Sequence, residues 1–208
     1  QFLVKTKSNK KAKISLRNSG SKVSLIVPAS LTLMSLVESS LGHGLAGLEA
    51  LSGIPGTVGG ALVGNAGAYG QAISDHLVLV TIFDTKKVRK ISKKQCEFAY
   101  RNSIFKTKLA KDWLILSAEF KLEKGDRLAL QKKSREIIQT RLKRYPKNLK
   151  CPGSFFKNVL VRDVSKKSLQ KIDESKIRDN KINTGWLLEK SGALNMRVGG
   201  VAVSDWHG

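Results

Sequence analysis

Residues 53–70 read GIPGTVGGALVGNAGAYG and place seven of the chain's 18 glycines within 18 positions. The segment contains no charged residue, although the whole chain of 208 residues carries a formal net charge of +22. Glycine is favoured where the backbone needs a positive φ or where another group must approach closer than a Cβ would permit. Closely spaced glycines can also turn several N–H donors toward one anion. The pattern leaves two alternatives open, a loop that contacts a ligand and a packed turn between core elements.

Strand-like runs and one helix-like segment surround these glycines. Between residues 30 and 44 apolar residues recur at intervals of three and four, and Gly42 and Gly44 follow as stop signals, which predicts a helix. The strand-like runs are FLVKT, KVSLIVPA, HLVLVTIFD and WLILSAEFKL. This alternation predicts an α+β unit over residues 1–121. The charged amphipathic segment DRLALQKKSREIIQTRLKRYP then opens a second predicted domain, residues 122–208.

The composition is that of a folded protein, because 41% of the residues are hydrophobic and the chain is long enough to bury a core. Its longest apolar runs, such as residues 23–37, are interrupted by Pro28 and fall short of the roughly 18 to 20 residues that span a bilayer. The first residues, QFLVKTKSNKKAK, have no apolar stretch after their charges and lack the pattern of a signal peptide. We therefore expect no membrane contact and a cytoplasmic location.

The two cysteines, Cys96 and Cys151, are far apart in the chain, with no second Cys or His at metal-ligand spacing. This spacing predicts buried free thiols and argues against a metal site or a disulfide framework. The basic residues, 38 Lys and Arg against 16 Asp and Glu, occur along nearly the whole chain with little aromatic interleaving. They indicate a general basic surface that attracts anionic small molecules, and no nucleic-acid partner is expected.

Four blocks of the sequence carry a resemblance to a known enzyme family. They are GLAGLEALSGIPGTVGGALVGNAGAYG (44–70), FAYRNSIFK (98–106), PGSFFKN (152–158) and GWLLEKSGALNMRVGGVAVSDWHG (185–208). In order and approximate spacing they resemble UDP-N-acetylenolpyruvoylglucosamine reductases, the MurB flavoenzymes, and more closely the shorter type II branch. The resemblance implies an α+β fold, with part of an FAD-binding domain of the PCMH/VAO-like type followed by a MurB-type C-terminal substrate domain.

The resemblance also implies an activity. Members of this family use FAD and NADPH to reduce UDP-N-acetylglucosamine enolpyruvate to UDP-N-acetylmuramate in peptidoglycan precursor synthesis. The redox chemistry belongs to the cofactor, while the protein supplies position and electrostatics. A second hypothesis is a catalytically inactive basic module of the same fold whose partner is nucleic acid or an acidic polymer.

Two residues match the family's catalytic groups. Arg101, in YRNS, matches the arginine beside the negative charge that develops on the substrate. Ser154, in GSFFKN, matches the serine that donates a proton to the substrate carbon. Family members usually have Asp where this chain has Asn102, so a charge partner for Arg101 is expected to be missing. Pro152 replaces a smaller residue two positions before Ser154 and stiffens the backbone there.

Further residues match binding positions of the family. Those implied to bind the substrate are Tyr100, Arg144, Lys157 and Asn158. Those implied to contact FAD are Gly53, Ile54, Pro55, Gly56, Thr57, Gly59, Gly60, Asn65, Ala66, Gly67, Ala68, Tyr69, Gly70, Gly199 and Gly200. On this interpretation the glycine-rich segment lacks charge and bulk because its backbone approaches an anionic cofactor.

Two family segments have no counterpart in these 208 residues. The family's first FAD diphosphate turn would precede residue 1, and a catalytic Glu would follow Gly208. The chain is therefore expected to be an internal fragment that binds FAD weakly or not at all and has no detectable turnover. If it proves fully active, Glu189 is the first candidate for the missing acid.

Overall fold

The structure, a computed structural model, describes residues 14–19, 22–144 and 156–203. The chain forms two compact units, Gln1–Lys147 and Asn148–Gly208. The helices of the first unit are α1 Leu33–Gly42, α2 Val58–Val63 and α3 Arg127–Arg144. Its strands are β1 Ser15–Ser19, β2 Lys22–Pro28, β3 Leu45–Ala46, β4 Gly67–Ala68, β5 Gln71–Ala72, β6 Leu77–Phe83, β7 Val88–Ser92 and β8 Leu114–Lys124.

The second unit consists of short elements. Its helices are α4 Lys166–Leu169 and α5 Thr184–Lys190, and its strands are β9 Val159–Leu160, β10 Ile177–Arg178, β11 Lys181–Ile182, β12 Arg197–Val198 and β13 Val201–Ala202. Strands β10, β11 and β9 form a small sheet in that order, and β12 and β13 form a hairpin. No helix in the described ranges is both long and apolar enough to cross a membrane.

An antiparallel sheet is the centre of the first unit. Its strand order is β1-β2-β8-β6-β7, and β3 pairs with the end of β8. Side chains of β2 alternate between buried and partly buried, as expected for a strand with one face on the core. Leu25 and Val27 of β2 and Phe120 of β8 are fully buried there. The α+β fold class is confirmed.

The predicted helix between residues 30 and 44 is confirmed as α1. The Thr32 side chain accepts a hydrogen bond from the Ser35 N–H at 3.0 Å and caps the helix. Leu33, Leu36 and Val37 are buried on one face, which is the spacing that predicted the helix. The chain leaves the helix through Gly44, whose φ is +64°.

Three of the four strand-like runs are confirmed, since KVSLIVPA and HLVLVTIFD contain β2 and β6, and WLILSAEFKL covers all of β8 except its last two residues. The run FLVKT lies outside the described residues. The predicted charged segment is the helix α3, but it belongs to the first unit. The predicted boundary between residues 121 and 122 falls inside β8, and the structural division comes after Lys147. The functional roles given to the two domains stay predictions.

Polar contacts attach α3 to the 3₁₀ turn Glu49–Leu51 that precedes the glycine-rich segment. The Lys133 ammonium lies 2.9 Å from Glu49 Oε1, and the Gly47 N–H donates to Glu49 Oε2 at 2.8 Å. Burial, the largest influence, raises the pKa of the Glu49 carboxyl, but the Lys133 hydrogen bond, the backbone N–H groups and the Lys133 charge together hold it below its usual value. The buried carboxylate therefore stabilises the attachment of α3 only while it is ionised.

This linkage predicts a pH-dependent effect of Glu49→Gln. Because the pKa of Glu49 is lower in the folded chain, its contribution is complete near neutral pH and is lost as the pH falls through that lowered pKa. At pH 7 we expect a loss of about 1 kcal/mol of unfolding free energy, a modest value because Lys133 is partly solvated. Urea unfolding at pH 7 and at pH about 3 should show the difference vanishing in acid. Glu136→Gln, an exposed carboxylate on the same helix, is the control, and an equal loss at both pH values would contradict the assignment.

Candidate functional site

The first half of the glycine-rich segment leads into α2. Thr57 caps this helix, and its Oγ1 accepts a hydrogen bond from the Gly60 N–H at 3.2 Å. The N–H groups of Val58 and Gly59 donate to the carbonyls of Leu31 and Ala29, both at 2.9 Å. Three N–H groups at the start of α2 are therefore used within the protein. They do not form the open cluster of donors that the glycine spacing suggested.

Two of the glycines are required by packing within the chain. A Cβ at Gly59 would lie 3.2 Å from the Ala29 Cβ, and a Cβ at Gly67 would lie 2.6 Å from the Gln71 carbonyl oxygen. The packed-turn alternative is therefore correct at these positions. Gly60 differs, because a Cβ there would meet only Thr57 Oγ1, at 3.5 Å. Nothing in the described protein explains a glycine at that exposed helical position.

The second half of the segment is a tight hairpin formed by β4 and β5. Tyr69 and Gly70 connect the strands with φ values of +49° and +80°. Positive φ at both central residues defines the type I′ turn that matches the twist of a hairpin. The Tyr69 side chain is 58% exposed at this tip.

Arg101 lies in a second tight turn, in which Ala99 and Asn102 exchange backbone hydrogen bonds of 3.0 and 3.1 Å. Arg101 has a φ of +54°. Its Nη2 donates to the Gly67 carbonyl at 2.8 Å, and Nη1 lies 3.5 Å from the Asn65 carbonyl. The structure thus brings Arg101 to the glycine-rich segment, with the guanidinium held by main-chain oxygens.

Two further side chains attach this turn to the segment. The Ser103 hydroxyl donates to the Val63 carbonyl at 2.7 Å, and the Asn65 amide nitrogen donates to the Ala99 carbonyl at 3.0 Å. The second bond also fixes the amide orientation, because an oxygen in that place would face another oxygen. Asn65 Oδ1 is consequently buried and has no hydrogen-bond partner among the described residues. A buried acceptor of this kind is open to a donor from a water or a ligand.

The charge of Arg101 is not balanced by the described part of the protein. No described carboxylate lies within ion-pair distance of it, and the neighbouring Asn102 is neutral. The guanidinium also lies 5.5 Å from the centre of the Tyr100 ring. The site therefore combines an uncompensated cation with an unsatisfied buried acceptor, which suits an anionic ligand that also carries an N–H or O–H donor.

Several site predictions lie outside the described residues. Ser154 and Cys151 fall between residues 145 and 155, and nothing is described of the Arg144 side chain. In the described ranges, no cluster of three His, Cys, Asp or Glu side chains could hold a metal ion. Cys96 is a buried free thiol, as predicted, and burial raises its pKa to about 11.

The other predicted binding residues belong to the second unit. Asn158 Oδ1 accepts from the Thr184 N–H at 3.2 Å, and the Lys157 carbonyl accepts from the Thr184 hydroxyl at 2.9 Å. These bonds attach the segment before β9 to the start of α5. Gly199 and Gly200 form the two-residue turn between β12 and β13, and a Cβ on either would meet no atom within 4 Å.

Arg141, a residue of α3, was not predicted from the sequence as a site residue. Its Cδ would lie 3.0 Å from a Cβ at Gly53, and its guanidinium lies 5.4 Å from the centre of the Tyr69 ring. It looked like one more basic residue of a basic helix. The available signal was spacing, because Ser134, Ile138 and Arg141 recur at intervals of four and three on one helical face.

Comparisons with known proteins agree with this fold. No protein-family model matches the chain. A UDP-N-acetylenolpyruvoylglucosamine reductase from Solibacter usitatus is 42% identical over 179 residues, which are 86% of this chain and 57% of that protein. The same enzyme from Carboxydothermus hydrogenoformans is 34% identical over 206 residues, 99% of this chain and 59% of that protein. The crystal structure of the enzyme (MurB) from Thermus caldophilus superposes with a TM-score of 0.67 at 28% identity, covering 88% of this chain and 59% of that chain.

The α+β architecture is that of the Thermus reductase. The chain belongs to the UDP-N-acetylenolpyruvoylglucosamine reductase family. It spans between 57% and 59% of the length of the three relatives named above.

The contrast between neighbouring glycines of α2 predicts opposite effects on stability. Gly59→Ala forces a Cβ against Ala29 and should cost about 1 to 3 kcal/mol of unfolding free energy. Gly60→Ala meets open space and should raise stability by up to about 1 kcal/mol, because alanine favours the helix. Urea unfolding midpoints of both variants measure this. A loss in Gly60→Ala as large as that in Gly59→Ala would show that Gly60 is also required for packing.

Proposed function

We propose that this chain provides the flavin-contacting part of a UDP-N-acetylenolpyruvoylglucosamine reductase, which uses NADPH to convert UDP-N-acetylglucosamine enolpyruvate to UDP-N-acetylmuramate in the cytoplasm. The observation that carries the proposal is Arg101, a cation held by carbonyl oxygens beside the glycine-rich segment and unpaired with any described carboxylate. The names of the relatives support the choice of reaction.

The residues around the hairpin fit a bound FAD. Gly60 leaves exposed space that no described side chain fills, and a Cβ at Gly56 would meet no atom within 4 Å. The buried Asn65 Oδ1 lacks a donor among the described residues, and the pyrimidine edge of a flavin carries an N–H. When bound, FAD would supply the hydride chemistry that no protein side chain provides. Gly56, Gly60, Asn65 and the Tyr69–Gly70 turn are the residues of the first unit that would hold it.

Arg101 would orient and stabilise the enolpyruvyl carboxylate of the substrate. Addition of a hydride to the double bond leaves negative charge on the side of that carboxylate, and a fixed cation beside it lowers the barrier. A guanidinium has five N–H donors, and the Gly67 and Asn65 carbonyls face two of them. The remaining donors can bind both carboxylate oxygens, and the main-chain contacts keep the group oriented before the substrate arrives.

The remaining roles follow the family resemblance. Ser154 would donate the proton that completes the reduction, and a hydroxyl can do so only if it is held against a strongly basic carbon. Tyr100, Arg144, Lys157 and Asn158 would bind the substrate, and Gly199 and Gly200 would approach the flavin. The alternative of a basic module for nucleic acid or an acidic polymer has no support among the relatives reported above.

FAD binding tests the proposed cofactor site. We expect the 208-residue chain to bind FAD saturably, though weakly, in equilibrium dialysis. Gly60→Ala should weaken this binding by about tenfold or more, because a methyl group would occupy the approach to the ring while the fold stays intact. Far-ultraviolet circular dichroism verifies folding. Unchanged FAD affinity in Gly60→Ala, or no FAD binding by the unsubstituted chain, would exclude this site.

A pair of ligands tests the role of Arg101. Arg101→Lys keeps the charge but loses the planar pair of donors, so the affinity for UDP-N-acetylglucosamine enolpyruvate should fall about tenfold or more. UDP-N-acetylglucosamine lacks the carboxylate, and its affinity should be the same in both proteins. Isothermal titration with each ligand measures the difference. Equal losses of affinity for the two ligands would mean that Arg101 contacts the part that both ligands share, or that it serves only the structure.

A further inference from the structure

Arg141 has an unusual environment among the described arginines that contact an aromatic ring. Arg89 contacts the Trp113 ring and lies 2.8 Å from the Asp84 carboxylate, and Arg101 is held by carbonyls. Arg141 contacts the Tyr69 ring, but its Nε and Nη2 atoms are buried and have no hydrogen-bond partner among the described residues. Of these three guanidinium groups, only that of Arg141 has no oxygen partner in the described part of the chain.

The position of Arg141 is set by the attachment of α3. Ser134 Oγ lies 2.8 Å from Ser52 Oγ in a buried contact, and Lys133 pairs with Glu49 one residue earlier on the helix. Two helical turns after Ser134, the stem of Arg141 lies over Gly53, in space that a side chain at Gly53 would fill. The guanidinium is thereby directed to the Tyr69 tip of the hairpin, where it lies 5.4 Å from the ring centre.

Buried guanidinium nitrogens without a hydrogen-bond partner lower the stability of the folded chain. The Arg141 side chain is partly buried as a whole, but two of its donor nitrogens, Nε and Nη2, are fully buried. A charge taken out of water without a partner destabilises the folded state, and the contact with the Tyr69 ring offsets only part of that cost. Proteins retain such an arrangement where binding uses it, because an incoming anion meets a desolvated cation and gains more than it would from a solvated one.

The two unpartnered atoms also specify the shape of the missing group. Nε–H and an Nη2–H lie along one edge of the guanidinium and point in parallel, so that they can bind two oxygens of one carboxylate or phosphate. A single carbonyl would satisfy only one of them. The centre of the Tyr69 ring lies 5.4 Å from the guanidinium.

We propose that Arg141 is a ligand-binding residue that takes an oxyanion through its Nε–Nη2 edge, beside the Tyr69–Gly70 turn. The inference rests on the proposed function for the identity of the ligand, since that reaction supplies two oxyanion sources. One is the diphosphate of FAD, and the other is the UDP-sugar, through its diphosphate or its carboxylate. Arg141 thus adds a cation to a first-unit site for which the family resemblance implied Arg101 and Arg144.

The test compares three variants of the 208-residue chain. Arg141→Met keeps much of the stem over Gly53 and removes the cation, and Arg141→Lys keeps a charge without the paired edge. Arg135→Met removes one charge from an exposed position of the same helix and controls for the basic surface. The probes are inorganic pyrophosphate, FAD and UDP-N-acetylglucosamine enolpyruvate, each titrated calorimetrically at about 0.15 M salt, where attraction between distant charges is screened.

We expect Arg141→Met and Arg141→Lys to lower the affinity for at least one probe by about tenfold or more. The affinities of Arg135→Met should stay within about twofold of those of the unsubstituted chain. A loss of affinity confined to FAD identifies the cofactor diphosphate as the bound oxyanion. A loss of affinity confined to the UDP-sugar identifies the substrate as its source. Loss of pyrophosphate binding with no FAD binding in any protein supports the oxyanion site while rejecting the proposed flavin function. If no probe loses more affinity in the Arg141 variants than in Arg135→Met, the proposal is overturned.

Stability provides a second, independent measurement. A guanidinium that served only the fold would lower the unfolding temperature when removed. A buried cation kept for a ligand should leave the unfolding temperature of Arg141→Met equal to or above that of the unsubstituted chain, because the desolvated charge is gone. Differential scanning calorimetry without ligand measures this. A lower unfolding temperature together with unchanged affinity for all three probes would assign Arg141 to structure.

Discussion

The candidate site depends on one close backbone approach, between the start of α2 and the end of β2. The Gly59 N–H bonds to the Ala29 carbonyl at 2.9 Å, and a Cβ at Gly59 would crowd Ala29 at 3.2 Å. Because β2 pairs along its length with β8, the contact relates α2 directly to the central sheet. At the other end of α2 the Val63 carbonyl accepts the Ser103 hydroxyl, so this short helix connects the sheet to the turn that carries Arg101.

The other side of the site depends on polar contacts as well as on the packing of Leu130 of α3 against the core. Helix α3 has few buried side chains, and its Ser134 and Lys133 bind Ser52 and Glu49. Such contacts are directional, so they fix the rotation of the helix about its axis more tightly than a few apolar contacts would. That rotation decides which basic side chain of α3 faces the glycine-rich segment. The same basic composition therefore yields an exposed side chain at Arg135 and, at Arg141, a partly buried one whose Nε and Nη2 atoms are inaccessible to water.

The sequence was sufficient for elements whose pattern follows from burial on one face. Helix α1 and strands β2, β6 and β8 were predicted from periodicity and were found. Strands β1, SLRNS, and β7, VRKIS, were missed because they lie at the sheet edges and alternate polar residues, so that their pairing depends on neighbours.

In the candidate site, too, the sequence does not show which residues become neighbours in the fold. Gly59, Gly60 and Gly67 are alike in sequence, yet one faces Ala29, one faces open space and one faces a backbone oxygen. Only tertiary structure separates them. The proximity of Arg101 to the segment was implied by family resemblance, and no local pattern could have indicated it across the intervening strands β6 and β7.

Three residues of the site that are not glycine, Asn65, Tyr69 and Arg101, have φ values of +43°, +49° and +54°. The left-handed region is unfavourable for L-residues by roughly 1 to 2 kcal/mol each, and least so for asparagine. Glycine would relieve that strain at every one of these positions, while removing an amide, an aromatic ring and a guanidinium. Optimising the sequence for thermal stability alone would therefore favour glycine at the three positions whose side chains provide the chemistry of the site. Design on this scaffold should hold the three residues constant and seek added stability in the sheet and in α1.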